Sequence, residues 1–270
     1  PQLGTLGAAL GTVTGNLLVG MYGVWLIFRP GSVIHIHTGI ERRPDFSIIR
    51  ALFRFGLPTG IQGIAMNIAG VMLLRFVGSL QHSAAAQAAY AVSYTQLFSF
   101  ITWTSVGLMG ASATIAGQNL GAGNYKRAVR GVVVASRYGL VVATVVGSMF
   151  LLIPNYLLQI FGMTEPLVAS FGVQLLQYLS LSGFFVTIAL SYTGGLQGTG
   201  DTRSPLVISI ISQIVIPIGL CAVLQMSRGL RPQDIWMAIL LGHFTRALLS
   251  AIRFHQGRWK NISIELDAGR

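Results

Sequence analysis

The chain alternates long apolar runs with short polar connectors, and the runs cover residues 1–28, 55–77, 88–116, 132–154, 168–195, 206–224 and 235–254. Each is about as long as the roughly 20 mostly apolar residues that take a helix across a bilayer. Residues 166–200 hold no Asp, Glu, Lys or Arg, and neither do residues 204–227. Runs this continuous do not fit the short, dyad-alternating segments of a membrane β-barrel. The expected fold class is therefore all-α: a polytopic membrane protein with seven transmembrane helices.

The connectors carry the punctuation. Between the fifth and sixth runs lies Gly194-Gly195-Leu196-Gln197-Gly198-Thr199-Gly200-Asp201-Thr202-Arg203-Ser204-Pro205. Gly198 and Gly200 are expected to stop one helix, because glycine takes positive φ without strain. Pro205 suits the first turn of the next. The same glycines echo a phosphate-binding loop, but that motif needs a preceding strand, and here both flanks are membrane helices. Gly117 to Gly123 reads as the stop of the third run, Gly162 to Pro166 as a turn, and Pro217 as a kink within the sixth run. In Asp45 to Arg54, Ile48, Ile49, Leu52 and Phe53 share one helical face while Arg50 and Arg54 take the other, the pattern of an interfacial helix. The division is residues 1–28 (one leftover span), 29–54 (connector with interfacial helix), 55–254 (six-helix bundle) and 255–270 (tail). The first and last spans also resemble each other, each with small residues, a mid-span polar residue and an aromatic residue next to an Arg at the exit.

Composition agrees with a lipid solvent: 53% hydrophobic and 9% charged residues, with mean hydropathy +0.67, against about a quarter charged in soluble domains. The net charge of +11 does not point to nucleic acid, since the basic residues sit at run ends rather than on one soluble face. Connectors 29–54, 124–137, 200–205 and 251–270 hold 14 Lys and Arg, and those on the other side hold 2. The positive-inside rule then places the first set, and the C-terminus, in the cytoplasm of a plasma membrane, the inner membrane of a bacterium. Lys126, Arg127 and Arg130 would meet anionic lipid headgroups. Cys221 is alone, so neither an intrachain disulfide nor a cysteine metal site is available. His35 and His37 cannot share a helical face and have no further ligands beside them, so no metal is expected. Asn261-Ile262-Ser263 matches a glycosylation tripeptide but falls in the tail on the cytoplasmic side.

All seven acids, Glu41, Asp45, Glu165, Asp201, Asp234, Glu265 and Asp267, lie in connectors or the tail. A candidate cavity lining is therefore polar and aromatic: Gln62, Met66 and Asn67 in the second span, and Tyr90, Tyr94, Gln96, Phe98 and Trp103 in the third. The fifth adds Gln177, Tyr178, Ser182, Phe185 and Tyr192. Aromatic faces and Met suit flat organic cations. The competing explanation is structural, with Tyr and Trp forming interfacial belts and Gln, Asn and Ser bonding helix to helix. Gln62 and Asn67 are the preferred lining residues, being interior to a span. Arg246 is the most anomalous residue, mid-span with His243 three positions earlier on the same face. The pair is either an intramembrane polar site or structural, Arg246 being about 12 Å from Phe254 at the helical rise and able to snorkel part of that way.

Phe55-Gly56-Leu57-Pro58, Gly117-Gln118-Asn119-Leu120-Gly121-Ala122-Gly123 and the Leu196–Pro205 stretch fall in the right order at span ends. In this the chain resembles the multidrug and toxic compound extrusion (MATE) transporters over nearly its whole length. The resemblance implies two six-helix lobes exchanging drug-like cations for H+ or Na+, with this chain holding helix six of the first lobe and all of the second. Helices one to five would precede it, which agrees with an opening at Pro1 rather than Met. Aligned on the same motifs, Met66 and Val186 occupy positions where some members carry acids, so the coupling ion is expected to bind in the first lobe. No cofactor and no enzymatic activity are expected, and the oligomeric state stays open. Three rivals remain: a lipid-linked oligosaccharide flippase of related fold, a membrane-embedded enzyme, and a non-transporting assembly subunit. The flippase would want several cavity cations, and only Arg246 is available. The enzyme would need a nucleophile or acid beside His243, and none is visible.

Overall fold

The structure, a computed structural model, describes residues 4–29 and 45–262. His35, His37 and the tail from Ser263 onward lie outside the described residues. These divide after Asp45 into two compact units. The first contains α1 (Gly4–Phe28), a mostly apolar helix in which no side chain is buried over Ala9–Phe28. Such a helix needs lipid or other helices around it.

The second unit is a bundle of six long helices: α2 (Phe46–Gly78), α3 (Ser83–Gly121), α4 (Tyr125–Leu152), α5 (Pro166–Gly198), α6 (Arg203–Arg228) and α7 (Pro232–His255). With α1 this gives seven helices long and apolar enough to cross a membrane, and no strand occurs among the described residues. The chain is a polytopic all-α membrane protein. Large apolar side chains point outward along the whole bundle, Leu152 and Met226 among the most exposed, because lipid rather than water is their solvent.

Three boundaries differ from the sequence expectation. The interfacial segment is not a separate helix: α2 runs unbroken from Phe46 through Pro58, since no Gly or Pro interrupts residues 46–55. At 1.5 Å per residue α2 is about 50 Å long, well beyond a hydrocarbon layer of about 30 Å, so its amphipathic first turns extend past that layer in the same helix. Second, α4 begins at Tyr125, and Lys126, Arg127 and Arg130 occupy its first two turns instead of a loop. Third, α4 ends at Leu152 because Pro154 cannot continue it, and a short helix, Pro154–Ile160, follows.

Two of the long helices contain π-helical segments. In α3 the segment is Ala91–Leu97, and in α6 it is Ile211–Val215. The second lies just ahead of Pro217, whose missing N–H would leave the Gln213 carbonyl without its α-helical partner. The expected kink is thus a widened turn. Gly242 of α7 closes against it, so tightly that a Cβ there would sit 2.6 Å from the Ser212 carbonyl oxygen.

At the centre stands α5, buried on most of its circumference through Gly172, Ser182, Gly183, Ser191, Gly194 and Gly195. Small residues let backbones approach in a membrane, where packing rather than hydrophobic exclusion joins helices. A Cβ on Gly194 would lie 2.1 Å from Met109 O, and one on Gly198 would lie 2.0 Å from Ala113 O. Gly117 returns the contact, 2.7 Å from Gly198 O. The expectation that Gly198 serves a positive φ is therefore corrected: it lies inside α5 and serves close approach, while Gly200 alone in this turn takes positive φ, at 88°. Two ring-and-glycine contacts, Phe185 with Phe244 at 5.2 Å and Gly195 under Phe254, fix α7 parallel to α5 at an offset of 59 residues.

Candidate functional site

Three aromatic residues of α3, Tyr90, Tyr94 and Phe98, recur every four positions, a spacing that keeps them on one face. Tyr90 stacks on Tyr94 with centroids 4.9 Å apart, and Tyr94 meets Phe98 at 5.6 Å. The α7 face opposite supplies both ends, Trp236 stacked on Tyr90 at 6.2 Å and His243 against Phe98 at 6.0 Å. Beside the ladder lies a cavity of about 150 Å³. Tyr90 and Tyr94 form one wall, Met66 and Gly70 of α2 another, and Gln213 and Pro217 of α6 with Ile239 of α7 complete it.

The α7 wall continues past Ile239 to His243 and Arg246, at helical spacings of four and seven. Both are buried, 5% and 8% exposed, so the guanidinium does not snorkel clear of the bundle. Arg246 is within electrostatic reach of Tyr94 and of His243. Arg246 Nε, both ring nitrogens of His243 and Trp236 Nε1 have no hydrogen-bond partner among the described residues. In native proteins the great majority of such buried groups are satisfied. This α7 face is accordingly where a polar ligand, water or further protein groups would be accommodated.

The remaining expected lining residues lie elsewhere. Gln62, one of the two preferred, is a helix-to-helix connector: its amide donates to Ser209 Oγ at 2.7 Å and to Pro205 O at 3.4 Å, and its oxygen accepts from Gln197 Nε2 at 3.0 Å. That ties α2, α6 and α5 together, the structural alternative for a buried amide. Asn67 is exposed and donates to the Gly63 carbonyl at 2.9 Å, a local bond on its own helix. Gln96 is exposed. Ser182 is fully buried in the bundle interior, away from the cavity. Tyr192 packs at the basic end with Phe254 and His255, each at 5.4 Å. Of the two positions where some members of the resembled family carry acids, Met66 lines the cavity and Val186 is core.

The basic end is closed by a polar latch. Asp201 Oδ2 accepts from Arg253 Nε at 3.0 Å and lies 2.9 Å from Arg253 Nη2. The same carboxylate accepts from the Ser204 hydroxyl at 2.8 Å and from the Ser204 N–H at 3.1 Å. It thus joins the α5–α6 turn to the end of α7. Trp259 completes this end, its indole donating to Phe254 O at 2.8 Å while its ring stacks on Phe254 at 5.2 Å. At the opposite end Asp234 accepts from the Arg231 N–H at 2.9 Å and pairs with Arg228 at 2.6 Å.

With this geometry in place, the likeness to known proteins is specific. The profile of one family, MatE, matches residues 58–223, more than half of the chain. The chain belongs to the MatE family. A probable multidrug resistance protein, NorM, of Thermotoga maritima is 25% identical over 98% of this chain and 56% of its own length. The multidrug resistance protein PmpM of Pseudomonas aeruginosa is 25% identical over 94% of this chain and 53% of its own. The chain thus spans a little over half the length of these relatives. Among solved structures, a MATE in complex with MaL6 superposes with a TM-score of 0.83 at 17% identity, over 96% of this chain and 58% of that one. That likeness carries the fold. A further relative, MepA of Staphylococcus aureus, is a multidrug export protein, 23% identical over 80% of this chain and 47% of its own length. In this MatE chain the sequence reading missed Trp236, Gln213 and the Asp201–Arg253 latch. Signals for the first two were present: Trp236, Ile239, His243 and Arg246 share one helical face, and Gln213 is a polar residue one helical turn ahead of a mid-span proline.

Proposed function

We propose that this chain provides one six-helix lobe, and the last helix of the other, of a secondary active exporter that exchanges organic cations for H+ or Na+. The observation carrying this reading is the Tyr90–Tyr94–Phe98 ladder beside a cavity in a membrane bundle related to multidrug resistance proteins. Ring faces attract flat cations, and the Met66 thioether adapts to different shapes. A volume of about 150 Å³ falls short of the roughly 300–1,000 Å³ of pockets for drug-sized ligands. In this reading it is one wall of a larger chamber between two lobes that rock past each other. The described acids Asp45, Glu165, Asp201 and Asp234 all sit at helix ends or turns, so the coupling ion binds in the other lobe, where a buried carboxylate titrates or takes a cation. The 14-to-2 bias of Lys and Arg supports a plasma-membrane orientation with a cytoplasmic C-terminus.

Arg246 favours one rival, a flippase for lipid-linked oligosaccharide, because a buried guanidinium would pair with pyrophosphate. A single cation facing a diphosphate makes this the lesser reading. The deciding experiment expresses the full-length protein in drug-sensitive cells and follows ethidium efflux with and without collapse of the H+ and Na+ gradients. Gradient-dependent efflux, abolished in Tyr90→Ala/Tyr94→Ala at equal expression, is expected. Efflux indifferent to both gradients, or absent for every cation tried, overturns the reading and leaves the flippase or an assembly subunit.

A further inference from the structure

A groove of about 500 Å³ runs between α3 and α4 at the basic end of the bundle, and it shares no lining residue with the cavity beside the aromatic ladder. Its walls change character along their length. The mouth is formed by Arg127 and Arg130 on the first two turns of α4 and by Gln118 on the last turn of α3. Farther in, the walls are apolar, with Ile115 on one side and Val134 on the other, ending at Tyr138. From Arg127 to Tyr138 the helix rises about 16 Å, roughly the depth of one leaflet's hydrocarbon. The floor is tight: a Cβ on Gly131 would lie 2.3 Å from Ile115 Cγ2, so the two helices touch there.

Both guanidiniums are exposed, and neither enters an ion pair or hydrogen bond among the described residues. No acid lines the groove. The mouth is also the N-terminal end of a 28-residue helix, where the helix dipole favours an anion. Charge at one end and an apolar channel at the other is the polarity of a phospholipid standing in its leaflet.

We propose that this groove binds a phospholipid with an anionic headgroup, its phosphodiester held by Arg127 and Arg130 and one acyl chain lying along Ile115 and Val134. A soluble phosphate compound would leave the apolar walls unused. A zwitterionic lipid would bring its own ammonium group towards two guanidiniums. Site and occupant are independent of the exported substrate.

The test is native mass spectrometry of the purified protein, released from micelles containing equal amounts of phosphatidylglycerol and phosphatidylcholine. Preferential retention of phosphatidylglycerol is expected. Arg127→Gln/Arg130→Gln should cut that preference about 30-fold, from about a fivefold effect per basic residue at a membrane surface. Ala111 is an exposed residue of the apolar wall, so Ala111→Phe should reduce phosphatidylglycerol retention while leaving the thermal midpoint in lipid-free detergent unchanged. Equal retention of both lipids by the unsubstituted protein would overturn the proposal, as would a preference untouched by the double substitution. So would glycerol 3-phosphate protecting against thermal unfolding as fully as phosphatidylglycerol, since the acyl channel would then have no role.

Discussion

Replacing Gly198 by Ala adds one methyl group, and the structure gives that methyl no room. It would sit 2.0 Å from Ala113 O, about 1.4 Å inside the 3.4 Å at which ordinary contact begins, and its obstacle is helix backbone rather than a side chain that could swing away. The α3 and α5 axes must separate, loosening the Gly194–Met109 and Gly117–Gly198 approaches one turn either side. Overpacking of this kind costs about 1–3 kcal/mol, and at about 2–4 °C per kcal/mol for a domain of this size the unfolding midpoint in detergent should fall by about 2–12 °C. The control is Gly219→Ala in α6, where nothing lies within 4 Å of the new Cβ. There the change removes only the helix penalty of glycine, so the midpoint should hold or rise, with a gain of about 0.5–1 kcal/mol. The assay is thermal unfolding followed by circular dichroism. Should Gly198→Ala and Gly219→Ala shift the midpoint in the same direction, close approach is not what Gly198 provides.

Gln62→Ala should lower stability by about 1–3 kcal/mol, because Ser209 and Gln197 lose their shared partner, yet leave the order of preference among exported cations unchanged; an altered substrate profile would return Gln62 to the cavity. Asp201→Asn and Arg253→Gln should each destabilise by about 2 kcal/mol through loss of charge-assisted bonds. Their double variant should lose less than the sum, and strict additivity in thermal melts would argue against the latch. Arg246→Met should raise the unfolding midpoint while lowering efflux, since a buried charge with no acidic partner among the described residues costs several kcal/mol. A lower midpoint would mean that the guanidinium is paired in the full-length protein.

The helices were legible because membrane spans are written in the simplest code a sequence has, unbroken apolarity bounded by charge. Their ends were less so. The amphipathic pattern of residues 46–55 marks an interface but not that the helix runs on unbroken into the span, and the positive charges of Lys126 and Arg127 look like a connector whether or not the backbone beneath them is helical. The site was half legible. Tyr90 and Tyr94, at a four-residue interval, and His243 with Arg246, at three, each declare a shared face, but only packing could bring those two faces together. Gln62 and Tyr90 are equally plausible from composition, and the difference between them is a partner: Gln62 finds Ser209, 147 residues away, a pairing no local pattern encodes. Gly198 shows the same limit, since a stretch rich in glycine looks like a turn even where its glycines are seats for another helix.

The widened turns in α3 and α6 have a consequence for how this lobe tolerates change in length. A π-segment carries one more residue per turn than the α-helix around it. Deleting one residue from Ala91–Leu97 would tighten that turn to α geometry and leave Ile101 and Ser105 below it still facing Gly183 and Thr187. The same deletion in α5 has no slack to draw on. Every side chain beyond it would swing by about 100°, carrying Gly194 and Gly198 off α3. Single-residue gaps among relatives of this lobe should therefore concentrate in α3 and α6, beside the cavity, and be rare in α5.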